Sequence, residues 1–366
     1  MAWKLVQRLN SNTFVEYICD EVLNTPGRTV EMNLLGGDIF ITDRAENIKA
    51  IQADQFADFA KGQTPHDVFS SILGDSVFTT DGPLWKSSRE QLEPHVSRVR
   101  SDDIPTAEKH IQKLLALIRN SPDKVDVYDL VDRFQLDLVS QVFLGESTNS
   151  LDANEQPFRK AMEELLTFNT NRLLFGTGKG LETDHISLLS IGMDSIPTPE
   201  QLRKLTLLAN TVKESMRMYH PLGLNIREAR TDAILPVGGG ADGGEPISVS
   251  AGQIIVYSVA SLQRNKESVG ANADVWDPSR WDSWSPKYGT YLPFSIGPRQ
   301  CPGRVFGRFQ IQYVLVRLLQ EFEKLEWCGL DGGSSSGEEM KIKVELNLKC
   351  AEPVVCKFIP RRNGAA

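Results

Sequence analysis

The chain has 366 residues, a formal charge of -8 and a pI of about 5.3. That acidic balance argues against a nucleic-acid partner, because phosphate backbones call for basic surfaces. With 40% hydrophobic and 24% charged residues it has the make-up of a globular protein, long enough for one large domain or two smaller ones. The cysteines Cys19, Cys301, Cys328, Cys350 and Cys356 are odd in number and lack Cys-x-x-Cys spacing, so they support neither a disulfide framework nor a zinc site. No stretch approaches the roughly 18–20 apolar residues that span a bilayer, and Met1-Ala2-Trp3-Lys4 opens without a signal-peptide core.

In chain order, residues 1–24 carry loosely helical apolar spacing (Val6, Leu9, Phe14, Ile18, Val22) that ends at Pro26-Gly27. Thr29–Leu34 and Asp38–Thr42 alternate on either side of Gly36-Gly37 and predict a hairpin. Asp43 is placed to cap a short helix through Ile51. Residues 62–82, punctuated by Gly62, Pro65, Gly74 and Asp81-Gly82, read as loop. Pro83 then suits the first turn of a helix on which Trp85 and Arg89, four apart, share a face. An indole N–H and a guanidinium together suit a buried carboxylate; a surface stacking pair is the alternative.

Amphipathic helices are expected over 105–120, from Val125 to Leu144-Gly145, and over 157–175. The run Gly176–Gly180 lacks the spacing of a phosphate loop and reads as a flexible junction. A further helix, Leu205–Tyr219, is stopped by Pro221 and carries Glu214 and Arg217 three apart. By spacing alone these two are a surface ion pair. From Asp232 to Val259 the chain alternates, with Gly238-Gly239-Gly240 and Asp242-Gly243-Gly244 as turns, and Pro246–Val249 and Ile254–Val259 as strands.

The densest stretch is 294–304, Phe294-Ser295-Ile296-Gly297-Pro298-Arg299-Gln300-Cys301-Pro302-Gly303-Arg304. Two prolines and two glycines enclose one cysteine at the entrance to an apolar helix, Val305–Leu319. Backbone N–H groups at such an entrance favour a thiolate, and a thiolate with one open face can ligate heme iron. A buried structural cysteine is the alternative. Gly332–Gly337 reads as loop, and Lys341–Lys349 as a strand paired with Val354–Ile359.

Phe294, Gly297, Arg299, Cys301 and Gly303 meet the pattern Phe-x-x-Gly-x-Arg-x-Cys-x-Gly, which resembles the heme-binding loop of the cytochromes P450. The resemblance covers 1–175 and 197–360 and implies one P450 domain over 1–366, mainly α with small β-sheets. It implies heme b (iron protoporphyrin IX), with Cys301 as the iron ligand. Phe294 shields the sulfur, and Trp85, Arg89, Arg227 and Arg299 hold the propionates. Glu214 and Arg217 match the family's Glu-x-x-Arg, and Arg280 in Asp277-Pro278-Ser279-Arg280-Trp281 is its expected third member. Gln263-Arg264 stands where members often show His-Arg.

Gly74–Gly82 and the glycine-rich turn at 238–244 are similar to the fungal branch that hydroxylates alkanes and fatty acids. The implied activity is insertion of one oxygen atom from O2 into such a hydrophobic substrate. The implied electron donor resembles NADPH-cytochrome P450 reductase. The family location is the endoplasmic reticulum membrane, whereas this chain, lacking a membrane segment, is expected to be cytoplasmic or peripheral. The family's central distal helix, with an acid beside a Thr for proton delivery to dioxygen, has no counterpart. Ile191-Gly192-Met193-Asp194-Ser195 lacks the Thr, and Pro197 and Pro199 block a long helix. The chain is therefore read as internally truncated, and an inactive heme-binding remnant stands as the alternative function.

Overall fold

A five-stranded sheet, richest in β-branched and aromatic residues at Gly37–Thr42 and Ile254–Ser258, runs in the order Thr29–Leu34, Gly37–Thr42, Ile254–Ser258, Leu224–Ala229, Phe59–Ala60. The first pair is antiparallel, with Thr29 opposite Thr42 and Asn33 opposite Asp38, as the hairpin pattern predicts. The second is parallel, Ile39 opposite Ile254, and the remaining pairs are antiparallel. This computed structural model describes residues 7–8, 11–34, 37–121, 123–152, 191–328, 342–344 and 348–361. The expected helix over 157–175, the Gly176–Gly180 junction and the Gly332–Gly337 loop lie outside them.

The sheet belongs to one of two units, formed by Met1–Ser97, Arg217–Val275 and Trp284–Arg304. Its core joins Phe40, Ile48, Ile51, Phe59, Ile255, Tyr257, Leu292 and Ile296, so side chains from the sheet pack directly on the start of the cysteine loop. Each such fully buried side chain contributes ~1.5–3 kcal/mol. A separate hairpin pairs Ala233–Gly239 with Glu245–Val249.

Two expectations change in this unit. Residues 63–73 form a helix, Gln63–Leu73, within the stretch read as loop. Pro65 sits in its first turn, where a missing N–H costs nothing, and Gly74, at φ 60°, ends it by donating to the Ser70 carbonyl at 2.8 Å. Asp43 makes no cap on the helix Ala45–Lys49. It is fully buried and accepts instead from Arg28 Nε at 2.9 Å and from Ser261 Oγ at 2.5 Å.

The second unit comprises Arg98–Met216, Trp276–Ser283 and Val305–Ala366. The helix Asp103–Arg119 buries Ile111, Leu114, Leu115 and Ile118, the apolar stripe of its sequence. The helix Val127–Leu144 starts at Asp126, whose carboxylate accepts from Tyr128 N at 3.0 Å and Asp129 N at 3.3 Å. It stops at left-handed Gly145. Arg304–Glu321, which enters this unit at Val305, is buried on most sides. Ile191–Ile196 is turn, and Thr198 with Gln201 forms a capping box on the helix Pro199–Lys204, so no long helix runs through 191–198.

Strand Val355–Pro360 pairs with Phe322–Trp327 and with Val125–Asp126. Ile342–Val344 pairs with Leu348–Cys350. The expected single strand over Lys341–Lys349 is thus two short strands, and their expected partner pairs elsewhere. Among the described residues no helix is long and apolar enough to cross a membrane.

Candidate cofactor site

All seven residues singled out for a cofactor, Trp85, Arg89, Arg227, Phe294, Arg299, Cys301 and Gly303, lie in the unit that holds the five-stranded sheet. The loop is shaped by its backbone. Gly297, at φ 69°, packs so closely on the helix after Ala45 that a Cβ there would stand 1.9 Å from the Gln52 carbonyl oxygen. Cys301 N–H donates to the Phe294 carbonyl at 2.9 Å, and Gln300 N–H to the Gly297 carbonyl at 3.0 Å. Phe294 itself is half-buried. A Cβ on Gly303 would meet nothing within 4 Å.

The Cys301 thiol is pushed up chiefly by burial, against the sequence expectation of a loop that favours thiolate. A hydrogen bond from the Gly303 N–H, then the charges of Arg89 and Arg304, pull the other way and do not outweigh burial. The loop by itself therefore keeps a thiol, and a cation beside the sulfur is what would draw the proton off.

Trp85 and Arg89 project from the helix Gly82–Val96. Arg89 Nη1 donates to the Gln300 carbonyl at 2.6 Å, and its Nε to Glu93 at 3.1 Å, so it braces the cysteine loop from outside. Trp85 stacks with Arg299, not with Arg89. Arg299 donates through Nη2 to the Thr80 carbonyl at 2.9 Å and to the Asp81 carboxylate. Its Nε and Nη1 are buried and have no hydrogen-bond partner. Asp81 in turn accepts from the backbone N–H groups of Lys61 and Gly62, each at 3.0 Å.

Arg227 comes from the strand Leu224–Ala229, is 5% exposed, and lies over the buried Tyr257 ring at 5.8 Å. Lys61 follows the short strand Phe59–Ala60, whose pairing with Leu224–Ala229 brings it beside Arg227. Lys61 is pulled down to about 7, first by burial, then by the like charges of Arg227 and Arg299, with Asp81 opposing. Burial likewise pulls Arg299 down to about 10, Asp81 again opposing, and it stays cationic at neutral pH. Lys61 was not legible in the sequence: a single Lys after two apolar residues carries no signal, and only the pairing of distant strands assembles the group.

Arg299, paired with Asp81 and with Lys61 and Arg227 beside it, keeps two nitrogens buried without acceptors, and this basic cluster suits anionic oxygens. The two carboxylates of heme b fit that requirement, and a single thiol on the adjoining loop fits its iron.

The supports of this loop are buried as well. Leu292 N–H donates to Gln263 Oε1 at 2.7 Å, and Gln263 Nε2 donates to the Arg217 carbonyl at 3.2 Å. Gln263 is therefore a bracket for the backbone, in line with the absence of His at that position. Arg217 donates to the carbonyls of Gln263 at 2.9 Å, Ala273 at 2.7 Å and Val275 at 3.2 Å. In the second unit Glu214, fully buried, accepts from Arg280 Nε at 3.3 Å, Trp281 Nε1 at 3.0 Å and Asp277 N at 3.0 Å. The link between Glu214 and Arg280 is the one the resemblance implies; the roles of Trp281 and the Asp277 N–H are additional.

The sequence matches the model of the cytochrome P450 family over residues 2–176 and 188–332. It is 26% identical to "Cytochrome P450 monooxygenase pvhE" of Talaromyces variabilis, over 97% of this chain and 87% of that protein. It is 28% identical to "Cytochrome P450 52A4" of Candida maltosa, over 86% of this chain and 79% of that protein. The crystal structure of a mutant cytochrome P450DA heme domain superposes with a TM-score of 0.77 at 18% identity, covering 98% of this chain and 95% of that one. The alignment with the Talaromyces protein runs over 473 positions against 366 residues here, so the surplus is residues of the relative that have no counterpart in this chain. The family match itself breaks at 177–187. With a P450 fold, internally shortened, come heme b as cofactor and monooxygenase as enzyme class: this chain belongs to the cytochrome P450 family.

Proposed function

We propose that this chain is a single-domain heme-thiolate monooxygenase acting on a hydrophobic substrate such as a fatty acid or an alkane. The observation that carries the reading is the cation cluster of Lys61, Arg227 and Arg299, with unpartnered buried N–H groups on Arg299, adjoining the Cys301 loop. Heme b, when bound, supplies activation of O2: one oxygen atom enters a C–H bond, the other leaves as water, and a flavoprotein donor provides two electrons from NADPH with two protons from solution. In this reading Cys301 Sγ holds the iron, Arg299 and Arg227 hold the carboxylates, and Trp85 fixes the orientation of the Arg299 guanidinium plane. Phe294 covers the sulfur, and the bare Gly303 leaves that side of the loop open. Arg89 acts through the loop backbone. The substrate class rests on the likeness of Gly74–Gly82 and the 238–244 turn to the fungal hydroxylase branch.

A second reading, a heme-binding protein without turnover, is supported by the turn at Ile191–Ile196, where no Thr stands beside Asp194 for proton delivery. Incubation of the heme-loaded chain with NADPH, a P450 reductase, isotopically labelled O2 and a long-chain fatty acid or alkane separates the two. One labelled oxygen in an alcohol product supports the monooxygenase. No labelled alcohol, whether NADPH stays unconsumed or is spent on peroxide or water alone, supports the second reading, in which substrate is not turned over.

A further inference from the structure

Ser295 is the second residue of the cysteine loop and adopts φ 63°, a left-handed conformation that a residue with a Cβ enters only when its surroundings hold it. Ser295 N–H donates to the Leu292 carbonyl at 3.1 Å and its carbonyl accepts from Gln300 Nε2 at 3.3 Å, and a further restraint, the one on its side chain, comes from Gln52. Gln52 lies in the π-helical turn Ala50–Asp54, closed by Gln55 N–H on the Ala50 carbonyl at 2.8 Å. It is 3% exposed. Its Oε1 accepts from Ser295 Oγ and, at 3.4 Å, from Ile296 N–H. Its own carbonyl is the group against which Gly297 packs. Three successive loop residues thus meet Gln52.

The consequence reaches the sulfur through one peptide. The φ of Ser295 helps set the plane of the peptide that carries the Phe294 carbonyl, and that carbonyl accepts the Cys301 N–H at 2.9 Å. We propose that Gln52 is a positioning residue for the Cys301 thiolate, holding Ser295 left-handed so that the Phe294 carbonyl stays on the Cys301 N–H. This rests on the heme-thiolate reading above. A buried amide oxygen that takes two loop donors has a packing role in any protein; here the same contacts fix the electronic surroundings of an iron ligand.

The test uses the full heme-loaded chain, reduced with dithionite under carbon monoxide, at equal heme content. Gln52→Leu keeps the volume and removes the acceptor. It is expected to move most of the red-shifted thiolate Soret band to the ordinary position, while Gln52→Glu, which keeps an acceptor, retains most of it. Glycine enters the left-handed region freely, so in a Ser295→Gly background Gln52→Leu is expected to change the band little. A merely structural Gln52 would not show that dependence on residue 295. Should Gln52→Leu fail to bind heme, Ser295→Ala, which removes only the hydroxyl, carries the same expectation of a displaced band. An unchanged band in both Gln52→Leu and Ser295→Ala overturns the role of Gln52 and leaves the heme-thiolate reading intact. Absence of the red-shifted band from the parent chain overturns both.

Discussion

The guanidinium carbon of Arg299 stands 4.5 Å from the centre of the Trp85 ring. The stack holds the planar group with Nη2 on Thr80 and Asp81 and with Nε and Nη1 buried and unpaired. Lysine cannot reproduce a planar, stacked donor. Arg299→Lys is therefore expected to weaken heme binding by ~10–100-fold, the loss of a charge-assisted hydrogen bond worth ~1.5–3 kcal/mol. A heme titration followed at the Soret band reads it; an unchanged affinity would remove Arg299 from the proposed cofactor contacts.

Lys61 makes an opposite pair of predictions. As a cation facing Arg227 and Arg299 it opposes folding of the heme-free chain, and its folded value of about 7 lies below the ordinary lysine value. Between those two values the unfolded chain binds more protons, so this penalty is full below pH 7 and is relieved as pH rises toward 10. Lys61→Met is expected to raise the melting temperature of the heme-free protein at pH 7 and to lower its heme affinity. A variant that leaves both unchanged would place Lys61 outside the site.

Glu214 is a carboxylate with no exposed surface, held by Arg280, Trp281 and the Asp277 N–H. Removing one partner of such a pair leaves the other charge buried, at a cost of ~3–5 kcal/mol. Glu214→Ala is expected to lower the urea midpoint accordingly. A midpoint within error of the parent would mean that Arg280 finds another acceptor.

His220 is buried, with Nε2 donating to the Leu292 carbonyl at 2.8 Å and Nδ1 accepting from Leu222 N–H at 3.0 Å, an arrangement that needs the neutral ring. Burial pulls it down to about 4 from 6.5, with the backbone hydrogen bonds opposing. Because the folded value is depressed, the unfolded chain binds the proton first. Its contribution is whole above pH 6.5 and is lost as pH falls toward 4, ~3 kcal/mol in all. Urea midpoints at pH 7 and pH 4.5 should differ less in His220→Gln than in the parent; an equal difference would assign the acid sensitivity to other groups.

What the sequence made legible follows the range of the interactions. The Cys301 loop, the helix Arg304–Glu321 and the hairpin at 29–42 are set by neighbours along the chain, and their glycines, prolines and periodicity announce them. The helix Gln63–Leu73 was hidden because Gly62, Pro65 and Gly74 look like loop punctuation, whereas two of them mark its ends and Pro65 sits in its first turn. Glu214 and Arg280 are 66 residues apart, so their pairing came from family resemblance and not from spacing. Lys61 beside Arg227, and Val355–Pro360 beside Phe322–Trp327, depend on strand pairing between distant segments, for which a single sequence holds no register. The thiol state of Cys301 is hidden from the sequence for a similar reason: loop composition shows the N–H donors but not the depth of burial that outweighs them.

Ligation of heme iron by Cys301 is the role proposed for this loop. Its most direct test is the absorption spectrum of the reduced, carbon monoxide-treated protein, beside that of Cys301→Ser. A Soret band shifted far to the red in the parent, and absent from the variant, is the expected result. An ordinary Soret position in the parent, or the same red-shifted band in Cys301→Ser, would contradict it.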